Sequence, residues 1–197
     1  DDAAQRAASI LDLIGRWNDE RALADRQLRD TRLDKTRQAI WHHQLGILAQ
    51  RRGDYDTAHK QYQRALTIFD NLGDRTGMAA TYHNLGILTQ DQGDYDTART
   101  LYQQSLHIKR ELGNRAGIAT TYGQLGILTQ DQGDYDTAHT LYQQSLHIEE
   151  ELGDQAGMAA SYHQLGILAQ DQGDYDTAHT LYQQALTVFE ELGNRAG

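Results

Sequence analysis

The chain has 197 residues, no cysteine, no proline and a formal charge of −10. The missing cysteines exclude a disulfide framework and any cysteine-ligated zinc or iron–sulfur site, and the acidic balance argues against a general affinity for nucleic acid or anionic lipid. Mean hydropathy is −0.73 and no apolar run reaches the ~18 residues a bilayer crossing needs, nor does a basic stretch followed by an apolar run open the sequence as a secretory leader does.

The charge is uneven: residues 1–64 hold 12 Lys/Arg against 10 Asp/Glu, and residues 65–197 hold 6 against 18. Internal repetition explains the rest of the pattern. The string Gly-Asp-Tyr-Asp-Thr-Ala begins at Gly53, Gly93, Gly133 and Gly173, always 40 residues apart. Residues 73–112 and 113–152 differ at 9 of 40 positions, and 113–152 and 153–192 at 11. Units this similar bury the same faces and adopt one structure.

In chain order, residues 1–32 read as a degenerate unit. Ile10, Leu11, Leu13 and Ile14 give it one apolar helical face, and Gly15-Arg16-Trp17 stands where Gly53-Asp54-Tyr55 stands later. It is either an N-terminal cap or a divergent repeat continuing from upstream sequence. Four full units follow, at 33–72, 73–112, 113–152 and 153–192. Each holds two helices. In the second unit, Met78 to Gln92 places Tyr82, Leu85, Gly86 and Leu88 at helical spacing and stops at Gly93. Asp94 caps the next helix, whose apolar stripe is Tyr95, Ala98, Leu101, Tyr102, Leu106 and Ile108. That helix runs to Leu112 and ends at Gly113, with a second glycine, Gly117, placed before the next unit. Two helices joined by so short a turn form an αα-hairpin, which must stack on neighbours to bury both faces. Residues 193–197 repeat the linker at 113–117 residue for residue, as the start of a further repeat in a longer array would.

Several motifs resemble chemistry without meeting its requirements. Asp91, Asp94 and Asp96 resemble half a calcium loop, but the 12-residue loop with a closing bidentate glutamate is absent. Helix stop and N-cap account for them. The histidines fall in columns that duplication produces (His43, His83, His163; His59, His139, His179; His107, His147), and adjacent His42 and His43 point about 100° apart on a helix. No nucleophile elbow or phosphate-binding glycine loop occurs. The chain therefore reads as a non-enzyme with no cofactor and no metal. The tyrosine columns, Tyr62, Tyr102, Tyr142, Tyr182 and Tyr82, Tyr122, Tyr162, read as core packing rather than as base-stacking platforms.

Tyr82, Leu85-Gly86, Gly93-Asp94-Tyr95, Ala98, Tyr102 and Ser105 together resemble the tetratricopeptide repeat pattern. The match extends over residues 33–197, with a 40-residue period instead of 34 and no closing proline. This longer form is similar to the repeats of Pins-type adaptors and of the sensor regions of bacterial STAND-class signalling ATPases. The resemblance implies an all-α, right-handed superhelical solenoid of antiparallel αα-hairpins whose first helices line a concave groove. Carried onto this sequence, the groove residues are His43, Gln44, Ile47 and Gln50; His83, Asn84, Ile87, Gln90 and Asp91; Gly123, Gln124, Ile127, Gln130 and Asp131; and His163, Gln164, Ile167, Gln170 and Asp171. Amides can bridge the backbone of an extended peptide, isoleucines supply apolar area, and Gly123 leaves a notch in the histidine column. Isoleucine stands where Pins-type and chaperone-binding relatives commonly carry asparagine, and the lysines that clamp a C-terminal carboxylate in chaperone adaptors are missing.

The expected function is recognition of a protein or peptide, in the sensor or scaffold part of a larger cytoplasmic bacterial regulator, with no nucleic acid or membrane partner. The alternative is a scaffold that self-assembles end to end through an uncapped last hairpin bearing Leu181, Leu186, Val188, Phe189 and Leu192.

Overall fold

A computed structural model of the chain describes residues 34–195. The degenerate unit at 1–32 lies outside the described residues, as do the last two positions. Among the described residues there are eight helices and no strand: α1 Lys35–Arg51, α2 Tyr55–Leu72, α3 Arg75–Asp91, α4 Tyr95–Glu111, α5 Arg115–Asp131, α6 Tyr135–Leu152, α7 Gln155–Asp171 and α8 Tyr175–Arg195. The all-α hairpin repeat expected from the 40-residue period is what forms. The chain divides into two compact units, residues 1–88 and 89–197.

Acidic and amide side chains start the helices. Asp54, Asp94, Asp134 and Asp174 each accept the backbone N–H three residues on, at 3.1–3.2 Å, from Thr57, Thr97, Thr137 and Thr177. These bonds, the Thr97 ones for Asp94, hold the carboxyls of Asp94, Asp134 and Asp174 below their ordinary pKa. Asp74, Asn114 and Asp154 cap the first helices in the same way through Gly77, Gly117 and Gly157. Each such cap satisfies a donor that the helix itself leaves orphaned. Between the helices of a hairpin, Gly93 adopts φ 79°, and the Gly93 and Asp94 N–H groups return to Gln90 and Thr89 carbonyls at 2.9 Å. That left-handed geometry suits glycine.

Two boundaries differ from expectation. Gly117 is not in the linker. Asn114 caps α5 early enough to put Gly117 in its first turn. The last glycine, Gly193, does not stop its helix, and α8 continues to Arg195. At Gly73, Gly113 and Gly153 the next residue turns back to cap a helix that packs on the one before. Gly193 has no such helix following it among the described residues, and glycine is compatible with either course.

In three of the hairpins a glycine of the first helix faces a tyrosine of the second. A Cβ on Gly46, Gly126 or Gly166 would come within 2.5–2.6 Å of the Tyr62, Tyr142 or Tyr182 ring. The absent side chain lets the helices approach until the ring is enclosed, and Tyr62, Tyr102 and Tyr142 are at most 1 % exposed. Burying one such ring is worth about 4–6 kcal/mol before conformational entropy is subtracted. In the second unit Leu165 and Leu168 join Tyr142 and Ala138 in one cluster. The antiparallel course of α5 and α6 follows from their pairings: Gly126 meets Tyr142, while the Ala119 carbonyl, earlier on α5, meets Ser145, later on α6.

The second tyrosine column is less enclosed. Tyr82, Tyr122 and Tyr162 are half-buried, and the Arg110 guanidinium lies 5.8 Å from the Tyr122 ring centroid and donates to its hydroxyl.

Candidate functional site

The residues carried over as groove-lining lie on α1, α3, α5 and α7, and the structure sorts them into those engaged with the repeat frame and those left open. Gln50, Gln90, Gln130 and Gln170 are frame residues. Their side-chain oxygens accept the hydroxyls of Tyr62, Tyr102, Tyr142 and Tyr182 at 3.0, 2.9, 2.8 and 3.1 Å. Gln90 and Gln130 also donate an amide N–H, to Asp131 at 3.0 Å and Asp171 at 2.6 Å. Each of these phenols thus gains an acceptor, and Gln90 and Gln130 also join their hairpins to the next. Burial first, and then Asp91 with Asp131 or Asp131 with Asp171, push the hydroxyl pKa of Tyr102 and Tyr142 well up.

In the first unit His43 is similarly occupied. Asn84 donates its side-chain N–H to His43 Nε2 at 3.1 Å, so Nε2 is an acceptor and Nδ1 carries the proton. Nδ1 then donates to Thr81 Oγ1 at 3.1 Å, whose own proton goes to the Gly77 carbonyl at 2.7 Å. This direction of bonding requires a neutral imidazole, and burial lowers the His43 pKa accordingly. The ring also tilts against Tyr62, with centroids 5.6 Å apart.

The isoleucines Ile47, Ile87, Ile127 and Ile167 are half-buried, as are His83 and Asn84. Ile127 packs on the cluster around Tyr142. Gln44, His163, Asp91, Asp131 and Asp171 are exposed.

What stays open in the second unit is a cavity of about 260 Å³ reached between α5, α6 and α7, with Gly123, Gln124, Ile127 and Gln164 among its walls. A Cβ on Gly123 would meet nothing nearer than Ser145 Oγ at 3.9 Å. The notch expected there is real space, continuous with the cavity.

The floor holds a residue that the reading of the sequence passed over. Glu149 is only 7 % exposed. It accepts hydrogen bonds from Ser145 Oγ at 2.9 Å and Ser161 Oγ at 2.7 Å. No ion pair to a Lys, Arg or His reaches it among the described residues, and the nearby Arg115 is paired with Glu151. One repeat earlier the same register holds Lys109, also 7 % exposed, donating to Thr121 Oγ1 at 2.8 Å. Burial lowers its pKa to about 8. In the first unit that register is Phe69, 4 % exposed and seated on Gly77, where a Cβ would approach the ring to 2.4 Å. The signal was available: Phe69, Lys109, Glu149 and Phe189 form a 40-residue column, with Ala65, Ser105, Ser145 and Ala185 four residues before them. Serine accompanies the charged members and alanine the aromatic ones.

Among the described residues no three His, Asp or Glu side chains are grouped to hold a metal ion, and no helix is long and apolar enough to cross a membrane.

The tetratricopeptide repeat family model matches residues 36–111, 77–151 and 117–191. No protein of curated function matches by sequence. Among solved structures, BtubC from P. vanneervenii is similar at TM-score 0.77 and 22% identity, over 94% of this chain and 78% of that one. A Rap protein complexed with competence and sporulation factor is similar at 0.77 and 18%, over 85% of this chain and 46% of that one. A STAND protein with a tetratricopeptide repeat sensor, from Pyrococcus horikoshii, is similar at 0.75 and 16%. There the match spans 85% of this chain and only 26% of the other. Likeness at these identities concerns the fold.

Proposed function

Because the chain belongs to the tetratricopeptide repeat family, we propose that it is a recognition module for an extended segment of protein, held along the first-helix side chains that the frame leaves unused. The observation that carries this reading is the open cavity beside Gly123, with Gln124 and Gln164 on its walls. A packed repeat has no structural need for such space, and paired amides suit a peptide backbone. The likeness to a peptide-bound Rap protein supports a peptide ligand. The likeness to a STAND sensor supports a place in a larger signalling regulator; that this regulator is bacterial and cytoplasmic is part of the same proposal. Panning a random peptide library on the 197-residue chain tests it. Enriched peptides should lose at least tenfold in affinity on Gln124→Ala with Gln164→Ala, at unchanged melting temperature. Loss of melting temperature along with affinity would make the amides structural instead.

A second reading, association between copies through the last hairpin, is favoured by one observation. Leu186 and Phe189 are 57 % and 53 % exposed, although Leu106 and Phe69 in the same register are 6 % and 4 % exposed. Sedimentation of the chain and of Phe189→Asp at rising concentration decides it: association should occur in the first and vanish in the second.

A further inference from the structure

The floor of the cavity is built for a charge that the chain does not itself provide. We propose that the cavity is a subsite for one basic side chain, lysine or arginine, of the bound peptide, with its cationic head against Glu149. The proposal rests on the recognition reading above and names the chemistry of one of its positions.

Four observations converge on it. A carboxylate taken out of water is costly unless it is compensated, and hydroxyl donors alone do not neutralise it. Glu149 receives at most two such protons. Ser145 Oγ also lies 2.7 Å from the Ala119 carbonyl, so its single proton serves either that oxygen or Glu149. A carboxylate offers about four lone-pair positions, leaving at least two for a cationic donor.

The fold does not require the charge. Phe69 and Ala65 fill the same register in the first unit as an apolar plug. In the third repeat Glu149 and Ser145 take the places of Phe69 and Ala65, and both line the cavity.

The lining of the space suits a long, flexible side chain. It is open at Gly123, where the neighbouring repeats carry histidine. Ala119 and Ala160 supply apolar wall, and Glu149, only 7 % exposed, is part of the same lining. An aliphatic stem can lie along such a wall with its charge at one end. At 260 Å³ the volume is several times the ~30 Å³ that a water occupies in the liquid.

The field has the right sign. Asp154 also lines the cavity, Arg115 is engaged by Glu151, and residues 65–197 carry 18 acidic against 6 basic side chains. Such an excess draws cationic ligands and repels anionic ones.

The test uses single-residue probes. The N-acetyl, N-methylamide derivatives of lysine, arginine, norleucine and glutamate are titrated into the ¹⁵N-labelled chain, and amide shifts are followed at Gly123, Gly157 and Ser161. Lysine and arginine should shift these amides saturably, and norleucine and glutamate at least tenfold more weakly. Glu149→Gln should remove the preference. Two further variants guard against a folding defect. Gly123→His blocks the mouth without touching Glu149, and the set Ser145→Ala, Glu149→Phe rebuilds the apolar plug of the first unit. Both should fold and both should lose the lysine response. Norleucine binding as tightly as lysine, or Glu149→Gln keeping the preference, overturns the proposal. Peptides that enrich on the chain with no basic residue, while the lysine probe fails, would leave the recognition reading standing and remove this subsite. A lysine response at Glu149 with no peptide enriched would do the reverse.

Discussion

Gln130 and Asp171, 41 residues apart, are joined by an amide-to-carboxylate hydrogen bond of 2.6 Å, and the same amide accepts the Tyr142 hydroxyl at 2.8 Å. One side chain therefore closes its own hairpin and ties it to the next. Gln130→Ala would strand a buried phenol, which costs about 1–3 kcal/mol. Gln124→Ala, one turn and a half earlier on the same helix, removes no comparable bond and should stay within about 0.5 kcal/mol of the parent. Urea unfolding of the two variants checks the difference, and equal losses would contradict the division between frame and open residues.

Glycines at one register should respond differently to alanine. At Gly77 a Cβ would meet the Phe69 ring at 2.4 Å, and that ring is enclosed. Overpacking of this kind costs about 1–3 kcal/mol. At Gly117 the nearest atoms belong to the Asn114 side chain at 2.8 Å, on the surface. Gly117→Ala should therefore cost less than Gly77→Ala in thermal unfolding.

Lys109 makes stability depend on alkaline pH. Its ordinary pKa of 10.5 is lowered by burial to about 8. Between these values the unfolded chain keeps the proton and the folded chain has released it, so stability rises as pH goes from 8 toward 10.5. Below 8 the cost of the buried charge is present in full. Lys109→Met should raise the melting temperature at pH 7 and flatten its rise above pH 8. Thr121 keeps a partner in the variant, since its hydroxyl donates to the Gly117 carbonyl at 2.9 Å.

His43 acts at the other end of the scale. Burial lowers its pKa below the ordinary 6.5, and its bonds to Thr81 and Asn84 need the neutral ring. As pH falls below 6.5 the unfolded chain takes up a proton that the folded chain refuses, so stability is lost with acid. His43→Gln should shrink that loss. A melting curve series from pH 7 to pH 5 reads it, and an unchanged slope would assign the acid sensitivity elsewhere.

Much of this fold was legible because repetition averages out local ambiguity. Four copies of Gly-Asp-Tyr-Asp-Thr-Ala mark the caps and turns, and the Leu, Tyr and Ala stripes mark the buried faces. Boundaries beside glycine were not legible, because the residue accepts both a helical and a left-handed backbone. Gly117 lies inside α5 and Gly193 inside α8 for that reason. The groove was legible as a set of positions but not as a set of available groups. Whether Gln130 reaches outward or back to Tyr142 depends on a tyrosine hydroxyl 12 residues away, and periodicity carries no information about that choice. Glu149 was hidden by its place near the end of a helix, where a charged residue reads as solvated.

The frame bonds described above span either 12 or 41 residues, so each copy is held by itself and its next neighbour. The three copies over residues 73–192 differ from their neighbours at only 9 and 11 of 40 positions, and misaligned recombination between them would delete or add whole copies. A junction among these three copies still finds a tyrosine for its glutamine and an aspartate for its amide. The length of such a chain can drift between lineages without a refolded intermediate, and the register that holds Phe69, Lys109 or Glu149 can be reshuffled with it, one junction at a time.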